Sequence, residues 1–189
     1  MKLLLHACCA DCALKFLESA KNEDLEATIF YYNPNIHPRA EYLTRLLALR
    51  KVVEKKAKII VPDWKPREYF ECINLSPTPF FNKTGAIKEQ RCVKCWNLRL
   101  EATAKYAADK DFDAFSSTLV TSEYQDQEKI EKIAENLAKK YKIKFWKPKE
   151  MCCDLKTSGF YKQFFCGCVY SLKERYEEKY RGETHPTLP

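Results

Sequence analysis

Five short runs of apolar or β-branched residues alternate with helical patterns along this chain, and that alternation leaves few architectures open. Lys2–Leu5, Thr28–Tyr32, Ile59–Val61, Phe112–Val120 and Ile143–Trp146 have the length and flanks of strands. Between them, Arg39–Lys56 carries Leu43, Leu46, Leu47 and Val53 on one face, and Val93–Ala108 sets Leu98, Ala102 and Tyr106 near one side. Tyr124–Lys140 repeats Ile130, Ile133, Ala134 and Leu137, and Ser122 followed by Gln125 predicts a capping-box start for it. Val169–Arg181 reads as a closing helix. Strands and helices in this order predict an α/β fold, a doubly wound layer around a mostly parallel sheet. The 189 residues amount to one domain, 1–189, with no internal repeat and no Gly- or Ser-rich linker. Residues 69–90, with Pro77, Pro79 and Gly85 but no period, are expected to form an insertion or lid, and residues 151–189 a Cys-rich C-terminal segment that completes the site. Glu183–Pro189 should fray.

Composition removes several function classes. With 46% hydrophobic and 31% charged residues, 4 Gly and 9 Pro, the chain is neither disordered nor collagen-like. No stretch approaches the roughly 18–20 apolar residues of a membrane span, and Leu3-Leu4-Leu5 is too short for the core of an export signal. A soluble, cytoplasmic protein with no membrane partner is expected. The 33 Lys and Arg exceed the 26 Asp and Glu, a net charge of +7. Arg39–Arg67 holds nine basic residues to three acidic, and Glu128–Glu150 eight to four. Such faces are either solvated helix surface or a track for a phosphate backbone.

Ten cysteines are too many for ordinary packing in a chain this size. In a reducing cytosol, clustered cysteines bind metal or do redox work more often than they form static disulfides. Ligands of an open α/β sheet sit beyond the carboxyl ends of its strands, and four motifs fall there. His6-Ala7-Cys8-Cys9-Ala10-Asp11-Cys12 follows the first strand, Asn33-Pro34-Asn35-Ile36-His37-Pro38 the second, Ser122–Gln125 the fourth and Met151-Cys152-Cys153-Asp154 the fifth. Cys9–Cys12 and Cys92–Cys95 are both Cys-x-x-Cys pairs, which at a helix start point two thiolates at one metal. Spacing alone leaves a Cys₄ zinc site, an iron–sulfur cluster and metal-free thiol chemistry open; the crowding of Cys8, Cys9, Asp11 and Cys12 favours iron. Cys166-Gly167-Cys168 suits thiol–disulfide exchange, because the glycine lets the two sulfurs approach; simple packing of two small side chains is the alternative. Cys72 is expected in the core, His6 as a hydrogen-bonded structural residue and His185 in solvent, while His37 serves either substrate contact or loop rigidity.

These motifs together resemble the cobalamin-independent epoxyqueuosine reductases, a small Cys-rich family that completes queuosine at the tRNA wobble position. The resemblance spans nearly the whole chain. It rests on His6–Cys12, on Tyr32–Pro38 as Tyr-Asn-Pro-Asn-Ile-His-Pro, on Arg91–Trp96 as Arg-Cys-x-x-Cys-aromatic, on Phe115–Gln125, and on Gln163–Ser171 around Cys-Gly-Cys. Where many relatives have Pro inside the first motif, this chain has Asp11. The resemblance implies a fold like that of the PP-loop, adenine nucleotide alpha-hydrolase-like enzymes, with cysteines in place of their phosphate loop and hence no ATP. It implies a [4Fe-4S] cluster held by Cys9, Cys12, Cys92 and Cys95, with Cys8 and Asp11 as further ligands to it or to one additional iron or other divalent metal. Its substrate is tRNA with epoxyqueuosine in the anticodon, and an external electron donor is required. Asp11 is expected as ligand, as acid or, more simply, as a helix cap, Cys166 and Cys168 as a redox-active pair, and Asn33, Asn35, His37, Tyr124 and Gln125 as substrate contacts. A zinc-stabilised RNA-binding module without redox activity, and a thiol oxidoreductase, are the competing readings.

Overall fold

The computed structural model describes residues 1–73, 85–122, 125–149 and 158–180. Expectations that concern Pro77, Pro79, Tyr124, Met151, Cys152, Cys153, Asp154 and His185 lie outside the described residues. The chain runs β1 (Lys2–His6), α1 (Ala10–Ser19), β2 (Glu26–Phe30), α2 (Arg39–Val53), β3 (Lys58–Ile60), α3 (Pro66–Ile73), α4 (Gly85–Asp109), β4 (Ala114–Ser117), a 3₁₀ turn (Thr118–Thr121), α5 (Gln127–Tyr141), β5 (Lys144–Phe145) and α6 (Val169–Lys179). The five strands form one sheet in the order β3-β2-β1-β4-β5, and every neighbouring pair is parallel. The α/β class and the doubly wound parallel sheet are therefore as expected.

The sheet is buried on both faces, which explains the unbroken Leu3-Leu4-Leu5 of β1. Successive strand side chains point to opposite faces. Leu3 and Leu5 enter the layer of Phe16, Ile29, Tyr31, Leu46, Leu49 and Val53 beneath α1 and α2. Leu4 enters the other, with Phe115, Leu100, Ala104, Ile130 and Leu137 beneath α4 and α5. Burying each leucine contributes about 1.5–3 kcal/mol. Among the described residues, no helix is long and apolar enough to cross a membrane.

Several local readings need correction. The buried face of α2 is Tyr42, Arg45, Leu46, Ala48, Leu49 and Val53, while Leu43 and Leu47 stay 42% and 62% exposed. The phase was misjudged because an arginine occupies a core position. On α4 the buried stripe is Trp96, Leu100, Ala104 and Ala107 rather than Leu98, Ala102 and Tyr106. Helix α5 begins two residues after Gln125, capped by Asp126, whose carboxylate accepts from the Lys129 amide at 3.1 Å. Ser122 instead closes a turn, its carbonyl accepting from the Gln125 amide at 3.2 Å. The stretch expected to be irregular from Tyr69 is helical up to Ile73 and again from Gly85. Cys72 is half-buried rather than core, its thiol donating to the Lys94 carbonyl.

Candidate active site

The sheet order reverses direction at β1, whose neighbours are β2 and β4, and the crevice beyond such a switch point is where open α/β sheets bind ligands. A cavity of about 610 Å³ opens there, and six cysteines line it: Cys8, Cys9, Cys12, Cys92, Cys166 and Cys168. They come from three separate parts of the chain, and helix starts hold two of the groups. Cys9 is the extended N-cap residue of α1, with Cys12 one turn inside. Cys168 is the N-cap of α6, where its sulfur accepts from the Ser171 amide at 3.3 Å and from the buried Tyr69 hydroxyl. The positive ends of both helices thus face the cavity.

The thiols crowd one another. Cys8 donates to Cys9 and Cys9 to Cys12, and these bonds raise both donors, Cys9 to about 12. Desolvation between the cavity walls, then the neighbouring Cys168, pushes Cys166 up to about 12 although the residue itself is exposed, and burial raises Cys92 and Cys95 as well. Without an added positive charge the thiols of Cys8, Cys9, Cys92, Cys95 and Cys166 stay protonated at neutral pH. Among the described residues, no three Cys, His, Asp or Glu side chains are gathered tightly enough to hold a single ion.

Three arginines back this wall. Arg45 and Arg99 are each 1% exposed and Arg91 is 6% exposed. Arg91 pairs with Glu174 at 2.8 Å, but its Nε has no partner. Arg99 donates from Nε to the Cys95 carbonyl at 3.2 Å, and its Nη2 has none. Buried cationic groups with unmet donors need an anion to offset their desolvation. Ionised cysteines around a metal centre would supply that negative charge, so the residues present fit a thiolate-ligated group. Sequence reasoning did not single out Arg45 or Arg99; the run Cys92, Cys95, Trp96, Arg99 follows helical spacing and was the available signal.

Arg45 also holds the Cys-Gly-Cys segment. Its Nε donates to Glu41 at 2.6 Å, Nη1 to the Cys166 carbonyl at 3.1 Å and Nη2 to the Phe165 carbonyl at 2.9 Å. The His37 amide donates to the Gly167 carbonyl at 2.9 Å. Gly167 has φ +129, and a Cβ there would lie 3.0 Å from Ile36 Cγ1 and 3.3 Å from Arg45 Nη1, so only glycine fits.

The remaining candidates fall in different places. Cys95 is buried behind the wall with Tyr69, Ile73, Cys168 and Tyr170. Asp11 does not line the cavity; its carboxylate meets Lys15 at 3.2 Å and Lys162 at 3.6 Å. Nor does it cap α1, since Cys9 holds that position. Asn33, Asn35 and His37 are buried and do not line the cavity either. Asn33 Nδ2 donates to the Ala7 carbonyl at 2.8 Å, joining the loops after β1 and β2. Gln125 does line it, its Oε1 accepting from Trp96 Nε1 at 2.9 Å.

His6 has the structural role expected of it. Both partners of Nε2 are oxygens, Tyr32 O and Asn33 Oδ1 at 3.2 Å each, so Nε2 carries the proton and Nδ1 accepts from the Ser117 hydroxyl at 2.8 Å. Burial, then Arg99, lowers its pKa to about 3. His37 packs against Phe70, Tyr69 and Trp64 and is lowered by burial to about 4. Both are neutral bases whose folded pKa lies below the unfolded value, so their stability contribution is complete above pH ~6.5 and is lost as pH falls toward 4 and 3. Each pH unit in that window costs about 1.4 kcal/mol per histidine. His37→Phe should therefore shrink the drop in urea stability between pH 6.5 and 5 by about 2 kcal/mol; an unchanged drop would show that His37 is not buried as a neutral base.

Comparison with known proteins gives the family of the chain. The family model described as Epoxyqueuosine reductase QueH matches residues 3–174. A protein of that name from Histophilus somni is 33% identical over 184 residues, covering 92% of this chain and 73% of that protein. One from Dehalococcoides mccartyi is 34% identical over 188 residues, 93% of this chain and 94% of its own. One from Thermotoga maritima is 31% identical over 192 residues, with 93% of both chains covered. A match of this extent, over a chain whose cysteine loops meet at the switch point of the sheet, means that it belongs to the epoxyqueuosine reductase QueH family.

Proposed function

We propose that this chain reduces epoxyqueuosine at the wobble position of tRNA to queuosine, using an iron–sulfur cluster bound in the cysteine-lined cavity. The observation that carries the reading is the convergence of six cysteines and three buried arginines on one cavity at the switch point. Cys9, Cys12 and Cys92, which line the cavity, are the proposed ligands, with Cys8 beside them as the fourth thiol; Cys95, expected with them, packs behind the wall. Six thiols from three parts of the chain exceed the four that one zinc ion takes and suit a multi-iron cluster better. When bound, the cluster supplies one-electron transfer and a Lewis-acidic iron.

The reaction converts an epoxide, two electrons and two protons into an alkene and water. The Cys166–Cys168 dithiol can deliver both electrons and both protons as it closes to a disulfide, and an external reductant then reopens it. The raised pKa of Cys166 keeps its proton available on sulfur until that step. Arg99 lines the cavity, and its positive charge favours the oxygen as negative charge develops on it in leaving. Trp96, fixed by Gln125, and Phe165 give the cavity apolar surface that limits water. Asp11, engaged by two lysines, is assigned no step.

Protein purified without oxygen should be brown, contain about four iron and four sulfide per chain, and convert epoxyqueuosine-bearing tRNA with a chemical reductant and no ATP. A colourless protein with one zinc and no conversion would support the RNA-binding module instead. Strict ATP dependence would overturn the substitution of cysteines for a phosphate loop.

A further inference from the structure

Among the described residues, five large hydrophobic side chains are exposed, and three of them form one continuous aromatic row. Phe164, Tyr176 and Tyr180 are 53%, 48% and 45% exposed. The Phe164 and Tyr176 rings meet edge to face at 6.2 Å, and Tyr176 and Tyr180 lie parallel, 4° apart in plane, at 6.2 Å. The i, i+4 spacing on α6 lines up the two tyrosines. Phe164 lines the cavity, as does Arg175, whose Nε holds the Phe164 carbonyl at 3.0 Å. The row therefore starts at the cavity rim and leads away from it along α6.

We propose that Phe164, Tyr176 and Tyr180 form a stacking platform for the single-stranded nucleotides that flank the one whose base enters the cavity. The proposal rests on the reading that an RNA-borne base is the substrate. A base taken into a cavity must leave its own stack, and its neighbours then lose a stacking partner at the rim. Exposed aromatics interleaved with cations replace that partner whatever the base sequence. The row has this chemistry: Lys179 Nζ lies 5.2 Å from the Tyr180 centroid, and Arg175, 51% exposed, holds the Phe164 carbonyl. The surrounding charges on α6 include Lys173, Glu177 and Glu178, with no aliphatic side chain among the exposed hydrophobics there. A protein-docking face would be expected to carry one. Continuity with the cavity selects RNA as the occupant over a second copy of this chain.

The test compares the cluster-loaded protein with the double variants Tyr176→Ala/Tyr180→Ala and Tyr176→Phe/Tyr180→Phe. The probe is a tRNA anticodon stem-loop RNA, and binding is measured across 50–200 mM salt. The alanine pair should weaken binding about tenfold or more with an unchanged salt slope, since stacking involves no counterion release, and the phenylalanine pair should restore it. Equal affinity for wild type and the alanine pair would overturn the platform while leaving the reductase reading intact. So would a change in oligomeric state with RNA affinity preserved, which would make the row a contact between copies. Wild-type protein that neither binds the stem-loop nor converts modified tRNA would overturn both.

Discussion

Replacing Arg45 with methionine is expected to destabilise the protein by about 3–5 kcal/mol and to release the Cys-Gly-Cys segment from its present geometry. The side chain is 1% exposed and all three of its nitrogens are engaged. Two of its acceptors are the backbone carbonyls of Phe165 and Cys166, more than a hundred residues away in sequence. The third is Glu41, whose other oxygen accepts from the Tyr161 hydroxyl at 2.7 Å. Methionine fills much of the same volume but leaves a largely buried carboxylate with one partner and two carbonyls with no donor. Neutralising the orphan in Glu41→Gln/Arg45→Met should recover part of the loss, because the leftover charge is the larger penalty. The measurements are urea unfolding at pH 7 and the alkylation rate of Cys166, which should rise in the single variant as the segment loosens. A stability change under about 1 kcal/mol would mean that the clamp has little hold on the fold. Gly167→Ala perturbs the same segment from the other side, through its positive φ and the close Ile36 and Arg45 atoms.

The second large effect separates ligands from redox thiols. Serine at Cys9, Cys12 or Cys92 should each reduce iron per chain to less than about half and turnover by about a hundredfold or more, since a hydroxyl replaces a thiolate that the cluster requires. Serine at both Cys166 and Cys168 should leave iron content near wild type and lower turnover about tenfold or more, about 1.4 kcal/mol in barrier height. Iron and sulfide analysis with single-turnover assays on modified tRNA distinguishes the two groups. Loss of iron in the Cys166/Cys168 double variant would make that pair ligands; full activity in it would reduce the motif to packing. The same analysis of Asp11→Asn decides whether that carboxylate, ion-paired with Lys15 and Lys162, has any part in holding metal.

Much of this arrangement was legible in residue order. Strand length, β-branched content and the helical stretches between them were enough for a parallel doubly wound sheet, because those are local patterns that burial on both faces enforces. The same order put the cysteine loops at one edge, since parallel strands carry their carboxyl ends to the same side. Of helix α1 only the start near Cys12 was read, not its length or its buried face of Ala10, Ala13 and Phe16; the cysteines there drew the reading toward chemistry and away from period.

Side-chain orientation was decided elsewhere. Pattern reading assigns arginine to water, yet Arg45 and Arg99 are among the largest fully buried side chains. Asn33, Asn35 and His37 read as substrate contacts, with loop rigidity the alternative for His37, but all three are buried: Asn33 ties two loops together and His37 packs against α3 aromatics. Within one Cys-x-x-Cys pair, Cys92 reaches the cavity while Cys95 packs behind it. The physical reason is common to all of them. The period of a helix or strand records the average polarity of its surroundings, whereas a buried charge or polar side chain is stable only beside particular partners. For Arg45 those partners are carbonyls 120 and 121 residues along the chain, so only the folded structure brings them within hydrogen-bonding reach.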